Sequence, residues 1–383
     1  MKRRNFILKG TMGVIGGLTS VTLAGMTIKD MAGLVQTPTT LPTFGGSPRE
    51  IGVAYGKQFA EAIDKNIRTL LGGRIPANDP AFRSWVRSQE KLVGDHWPWY
   101  IEEMEGVAEG IAGKYEDVLL LNLRAWQYDI YGAPPSHACS SLAIKLANGQ
   151  MACAGALDDP IELYCGPIHF AGNSGYRLIT FPITGTSWGN RAMNSAGLAV
   201  GISSQILPGL KYLKNAVVQD IAMRAMLQTC ATVSEVRNFC LKHPFTMNLV
   251  CVDAKGGIFC AHQTSAGLHE IKVHVGCAIT NHVVDEETEK WLRDKGVTEF
   301  PTSPTTIPRR NKLLNFIGSK GGKCTAMEVR ELIAQRDDSD PASINNKGSI
   351  YLTYASPQAE KSTFWILQPR LAACPDKFLP FEV

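Results

Sequence analysis

Cys139-Ser140-Ser141-Leu142-Ala143-Ile144-Lys145-Leu146-Ala147-Asn148-Gly149-Gln150-Met151-Ala152-Cys153-Ala154-Gly155-Ala156-Leu157-Asp158 is the stretch on which the fold turns. Two apolar runs, 141–146 and 151–156, flank Asn148-Gly149. Asn-Gly is the strongest short hairpin signal, because both residues accept the positive φ that a type I′ turn requires. The stretch therefore predicts an antiparallel hairpin whose open end brings Leu157-Asp158 back to Cys139. A cysteine at a strand start is, by residue type alone, most often an inert apolar core position. The carboxylate delivered beside it gives the pair its chemical interest. Pro134-Pro135 stiffens the approach from upstream.

Upstream of this hairpin the pattern is helical, over about 47–125. Ser47-Pro48-Arg49-Glu50 is a capping box with Pro at the first helical position. Ile51, Ala54, Tyr55, Phe59 and Ile63 follow at helical spacing. A second helical stretch covers 79–112 and breaks at Pro98. A third begins near Asp117 and carries Leu119, Leu120, Leu123 and Trp126. Downstream, strands are predicted at 177–184, 192–204, 246–253, 257–264, 268–275, 350–354 and 363–368. Helices are predicted at 217–227 and 309–317, and from the boxes Thr232-Val233-Ser234-Glu235 and Thr325-Ala326-Met327-Glu328. Hairpins with the helices grouped apart predict an α+β fold, layered helix–sheet–sheet–helix.

The 383 residues are 44% apolar and 19% charged, which excludes disorder and a coiled coil. Lys2, Arg3, Arg4 and Lys9 account for the whole net charge of +4, so the body has no general basic surface for phosphates and no nucleic-acid partner is expected. The paired arginines and the uncharged, Gly-rich run from Gly10 to Met26 read as a twin-arginine export signal; a Sec signal or a short anchor is the alternative. The chain then divides into a signal at 1–24, a helical part at 25–138 and a part at 139–383 that the resemblance described below implies is catalytic, with 25–383 expected as one compact unit. The expected partner for export is the twin-arginine translocation machinery. The expected location is periplasmic or exported, and membrane-anchored if the signal stays, with Thr22-Leu23-Ala24 a poor cleavage site. Ten cysteines include no Cys-x-x-Cys, and no His cluster has zinc spacing, so neither metal nor cofactor is expected. His262, His269 and His274 alternate along strands and are expected to face solvent.

Seven short motifs, in order, resemble the acyl-coenzyme A:6-aminopenicillanate acyltransferase family of N-terminal-nucleophile (Ntn) hydrolases, related to choloylglycine hydrolases and penicillin V acylases. They are Gly46-Ser47-Pro48-Arg49-Glu50-Ile51-Gly52 with Tyr55-Gly56, Leu121-Asn122-Leu123-Arg124, and Cys139-Ser140-Ser141 with Asn148-Gly149 and Leu157-Asp158. Met193-Asn194-Ser195-Ala196-Gly197-Leu198-Ala199-Val200-Gly201 is the most specific; Val252-Asp253, Thr280-Asn281-His282 and Arg309 with Leu313 complete the series. The resemblance spans about 45–370 and implies a four-layer αββα sandwich of two mainly antiparallel sheets.

It also implies a mechanism. Self-cleavage between Ala138 and Cys139 would expose Cys139 as a new N-terminus, whose α-amine serves as base for its own thiol. Asp158 would orient that amine, Asn281 would donate to the oxyanion and Arg309 would organise Asp158 and Cys139. Arg309 and Arg310 at a helix start oppose the helix dipole, which favours a functional role for one of them, and Arg309 is preferred. Relatives carry Asn two residues before Asp158, Asn near Ser203 and Glu at Gln263; here Ala156, a serine hydroxyl and Gln263 stand instead, leaving Ser203 as the oxyanion or substrate contact. The substrate would be a small linear acyl amide, cleaved or transferred through an acyl-Cys139 thioester. The alternatives are an inactive relative that binds acylated ligands in the periplasm and an exported redox or metal protein. A homo-oligomer is left open.

Overall fold

The computed structural model describes residues 41–72, 75, 76, 78–124, 139–158, 166–172, 175–204, 207, 216–346, 348–358, 362–367 and 378–383. The expected export signal, the Pro134-Pro135 approach and Ala138 lie outside these residues.

Strand β1 (Thr43–Gly46) leads into helices α1 (Pro48–Gln58), α2 (Ala60–Leu71), α3 (Pro80–His96), α4 (Pro98–Gly110) and α5 (Tyr115–Asn122). The capping box forms as read: the Ser47 hydroxyl accepts from Glu50 N, and Ser47 N donates to the Glu50 carboxylate at 2.8 Å. Pro98 ends one helix and opens the next. Helices α1 and α4 cross backbone to backbone. A Cβ on Gly52 would meet Glu103 O at 2.1 Å, and one on Gly106 would meet Arg49 O at 2.3 Å, so both crossing positions require glycine.

The strands follow: β2 (Ser140–Lys145), β3 (Met151–Asp158), β4 (Ile168–Gly172), β5 (Leu178–Thr180), β6 (Ala192–Asn194) and β7 (Ala199–Ser203). Next come α6 (Gln219–Thr229), α7 (Val233–Lys242), β8 (Met247–Val252), β9 (Ile258–Thr264), β10 (Gly267–Glu270), β11 (Gly276–Ile279), α8 (Glu286–Asp294), α9 (Thr306–Lys320), α10 (Ala326–Ala334), β12 (Ser349–Ser356), β13 (Thr363–Leu367) and β14 (Leu379–Glu382). One sheet has the order β1-β4-β5-β6-β7-β8-β9-β10 and the other β11-β2-β3-β12-β13-β14. All pairings are antiparallel except β1 with β4.

Three apolar layers hold these parts together. Ile51, Val107, Ile221 and Phe239 from α1, α4, α6 and α7 pack on Phe170, Val200 and Leu249 of the eight-stranded sheet. Ile179, Met193 and Val250 meet Ala143, Cys153, Ile279 and Tyr351 between the sheets. Leu142, Ile144 and Leu352, on the far face of the six-stranded sheet, pack on Leu313, Ile317, Val329 and Ile333 of α9 and α10. The molecule is the expected α+β sandwich, helix–sheet–sheet–helix. Near the site the two sheets are also stitched by polar contact. The Tyr351 ring stacks on Phe181 with centroids 3.7 Å apart, and its hydroxyl donates to Phe181 O at 2.9 Å.

Three expectations need correction. Residues 192–204 form two strands, because the Asn194 carboxamide accepts from Ala196 N and Leu198 N and closes a tight turn. Residues 268–275 stop being strand after Glu270, and β11 starts at Gly276 in the other sheet. The late helix begins at Thr306, so Arg309 sits one turn inside it and the dipole argument does not apply at its first residue.

Candidate active site

Strand register brings the chemistry to one edge. Ser140 pairs with Ala156, so Cys139 lies across from Leu157 with Asp158 next in line. Ile279, the last residue of β11, pairs with Ser141, and Asn281 follows two residues beyond that strand end. Ser349, the first residue of β12, pairs with Asp158. Four strand ends therefore converge on a thiol, a carboxylate, a carboxamide and a hydroxyl.

The carboxylate is buried and each of its oxygens accepts a hydrogen bond. Ser349 Oγ donates to Asp158 Oδ1 at 2.6 Å, and Asn346 Nδ2 donates to Oδ2 at 3.0 Å. Burial raises the Asp158 pKa; the charge of Arg309 opposes this most, followed by the Ser349 and Asn346 hydrogen bonds and the charge of Arg191. Arg309, only 1% exposed, donates from Nη1 to Cys139 O at 2.7 Å and to Ser140 Oγ at 2.5 Å. These bonds hold the Cys139 carbonyl and the Ser140 hydroxyl, while the guanidinium charge acts on Asp158. The Cys139 thiol is buried as well. Burial pushes its pKa up and the Asp158 carboxylate adds to this; the Arg191 guanidinium and the main-chain N–H of Asp158 pull it down.

Asn281 is placed by the α9 junction that also carries Arg309. Asn281 N donates to Thr306 Oγ1 at 3.0 Å, and Thr280 Oγ1 donates to Thr306 O at 2.9 Å. The side-chain amide donates to Ser204 O at 2.9 Å, using one of its two hydrogens. Behind this loop, Asn248 Nδ2 donates to Thr280 O at 2.8 Å and His282 O at 3.2 Å, and the Asn248 carboxamide also bonds His262 Nδ1. His262 Nε2 accepts from Val284 N at 3.2 Å. The expectation that His262 faces solvent is therefore wrong. Strand β9 is buried on both faces, so alternation along it does not mark a wet side. Burial lowers the His262 pKa to about 3, which keeps the ring neutral and able to accept that bond. His274 is exposed, as read, and His269 is half-buried.

Ser203 ends β7 next to Ser204, and its buried Oγ has no hydrogen-bond partner among the described residues. Sequence reasoning missed Ser349, Asn346, Thr306 and Arg191. Ser349 opens a strand and Arg191 immediately precedes one, positions that carry no composition signal. Among the described residues no three His, Cys, Asp or Glu side chains gather as metal ligands would.

Residues 158–301 match the family model for acyl-coenzyme A:6-aminopenicillanic acid acyl-transferase. Over this stretch the chain is similar to that family. The matched stretch takes in Asp158, Arg191, Ser203 and Asn281; Cys139 and Arg309 fall on either side of it. The 40 kDa form of the acyl-coenzyme A:6-aminopenicillanic-acid-acyltransferase of Emericella nidulans is 26% identical over 199 residues, which is 49% of this chain and 52% of the relative. The chain spans about half the length of this curated relative. Among solved structures, penicillin V acylase from Agrobacterium tumefaciens superposes with a TM-score of 0.40 at 15% identity, covering 60% of this chain and 83% of that one. A variant of conjugated bile acid hydrolase from Clostridium perfringens gives 0.40 at 11% identity, covering 64% and 96%.

Proposed function

We propose that the chain is a self-processing cysteine amidohydrolase or N-acyltransferase acting on small linear acyl amides. What supports this reading is the hairpin register that returns Asp158 to Cys139, with Arg309 bonded to the Cys139 carbonyl and Asn281 just past the end of the strand that pairs with Ser141. Cleavage of the Ala138–Cys139 bond creates an α-amine beside Asp158. A cation there offsets the cost of the buried carboxylate, which is how Asp158 orients the amine. An α-amine with a pKa of about 7.7–8.0 can take the thiol proton near neutral pH.

The sulfur then bonds the acyl carbon, and the carbonyl oxygen gains the negative charge that the Asn281 amide stabilises, with Ser203 as a second donor. Collapse breaks the C–N bond. The leaving amine takes the proton from the α-ammonium and leaves a Cys139 thioester. Water attack completes hydrolysis and attack by an amine completes transfer; the same residues serve both. The paired arginines in the first residues fit export of the folded protein to the periplasm. The test is mass spectrometry of purified protein incubated with a panel of linear acyl amides. A covalent acyl adduct on Cys139 supports the proposal, and turnover by Cys139→Ala would remove it.

A further inference from the structure

Arg191 immediately precedes β6 in the eight-stranded sheet yet reaches across to the six-stranded one. It is 1% exposed. Its Nη1 donates to Ser141 Oγ at 2.6 Å, and its Nη2 donates to Ile202 O at 2.8 Å. The Ser141 hydroxyl also donates to Ile202 O, at 3.0 Å. Gly155, paired with Ser141 across β2 and β3, keeps the lane open: a Cβ there would stand 2.7 Å from Arg191 Nη1 and 2.0 Å from Ser140 O. Nε has no hydrogen-bond partner, and no acidic side chain forms an ion pair with Arg191 among the described residues.

A buried cation without a carboxylate is unfavourable unless an anion forms beside it. The charged side chains facing Cys139 are Asp158 from β3, Arg309 from α9 and Arg191. Two cations and one carboxylate leave one positive charge beside the thiol, and when the thiol proton passes to the α-amine the thiolate that forms sits against that charge. We infer that Arg191 is the counter-charge of the Cys139 thiolate, easing the ionisation that burial opposes, while Arg309 holds the main chain. The direction of its influence agrees. Arg191 is the largest influence opposing burial on the Cys139 thiol, and it draws the pKa of Cys153 and Asp158 down as well.

This inference rests on Cys139 being the nucleophile, so the test separates the two. Cys139 is alkylated with iodoacetamide across pH 5–10, and the modified peptide is quantified by mass spectrometry in wild type, Arg191→Gln and Arg191→Lys. The readout follows Cys139 whether or not the chain has been cut. For Arg191→Gln we expect the alkylation profile to move up by at least about one pH unit, which is about tenfold slower reaction at pH 7. Arg191→Lys should shift less, because a compact ammonium keeps the charge but cannot reach Ser141, Ile202 and the sulfur together. A folded variant whose profile overlays the wild type overturns the role of Arg191 and leaves Cys139 intact as nucleophile. Wild-type protein whose Cys139 never reacts overturns the nucleophile and the inference with it. If neither variant folds, Arg191 is a structural bridge between the sheets and the inference falls.

Discussion

Arg309 Nη1 lies 2.7 Å from the carbonyl oxygen of Cys139, tying the nucleophile's own peptide to helix α9. Hydrogen bonds from a charged donor are worth about 1.5–3 kcal/mol each. Arg309→Lys keeps a charge near Asp158, but its shorter side chain withdraws the donor that Nη1 presents to both Cys139 O and Ser140 Oγ. We expect a loss of about ten- to a hundredfold in turnover, with the melting temperature lowered by only a few degrees. Full activity in this variant would show that α9 does not position the nucleophile.

Asn281 is the expected oxyanion donor. Removing one such donor slows catalysis by about a hundred- to a thousandfold. Asn281→Ala should show that loss with its fold intact, because Thr280 and the Asn281 main chain stay pinned to Thr306. A loss below about tenfold in steady-state rate would move the oxyanion role to another donor.

The hydrogen bond from the Ser349 hydroxyl to Asp158, at 2.6 Å, is shorter than the one from Asn346, at 3.0 Å. Deleting it leaves burial less opposed and pushes the carboxyl pKa further up. Ser349→Ala should therefore move the acid limb of the pH–rate profile to higher pH. Coincident acid limbs for variant and wild type would separate Asp158 from the rate.

His262 ties stability to pH. Its folded pKa, near 3, lies below the usual 6.5. The unfolded chain takes up its proton below about pH 6.5 and the folded chain does not, so stability present at neutral pH is lost as pH falls toward 3. His282, brought down to about 4 by burial and then by Arg310 and Arg309, acts in the same direction. Denaturant midpoints measured at pH 7 and pH 4.5 should fall with acid. His262→Gln should be less stable at pH 7 but show a shallower fall. Equal slopes for the two proteins would remove His262 as the sensor.

The hairpin that joins Cys139 to Asp158 is legible because its signals are local: two apolar runs and an Asn-Gly turn. The three capping boxes are legible for the same reason. Asn281 is not legible from periodicity, since β11 is only four residues long and its partner β2 lies far back in the chain. The resemblance alone pointed to it. Strands β1, β4 and β14, of four or five residues each, are likewise too short to show a period. Helix α8 did carry a signal, the Asp285 cap with Glu286 and Glu287 behind it, and was still passed over. Arg191 was missed because its partner Ser141 sits in the opposite sheet, and only sheet-on-sheet packing brings them together.

The paired arginines make a cellular prediction. Arg3 and Arg4 both changed to Lys should leave the folded protein in the cytoplasm, as read by fractionation. Unchanged export of that variant would remove the twin-arginine reading.

The central claim is that Cys139 becomes an N-terminus before it becomes a nucleophile. Intact-mass spectrometry of active, purified protein tests it most directly. The account predicts a fragment running from residue 139 to residue 383, 245 residues beginning with Cys139, held together with its upstream partner, and a Cys139→Ala chain that stays whole and inactive. Fully active protein that remains a single chain through Ala138–Cys139 would contradict it, because the amine required as base would still be locked in a peptide bond.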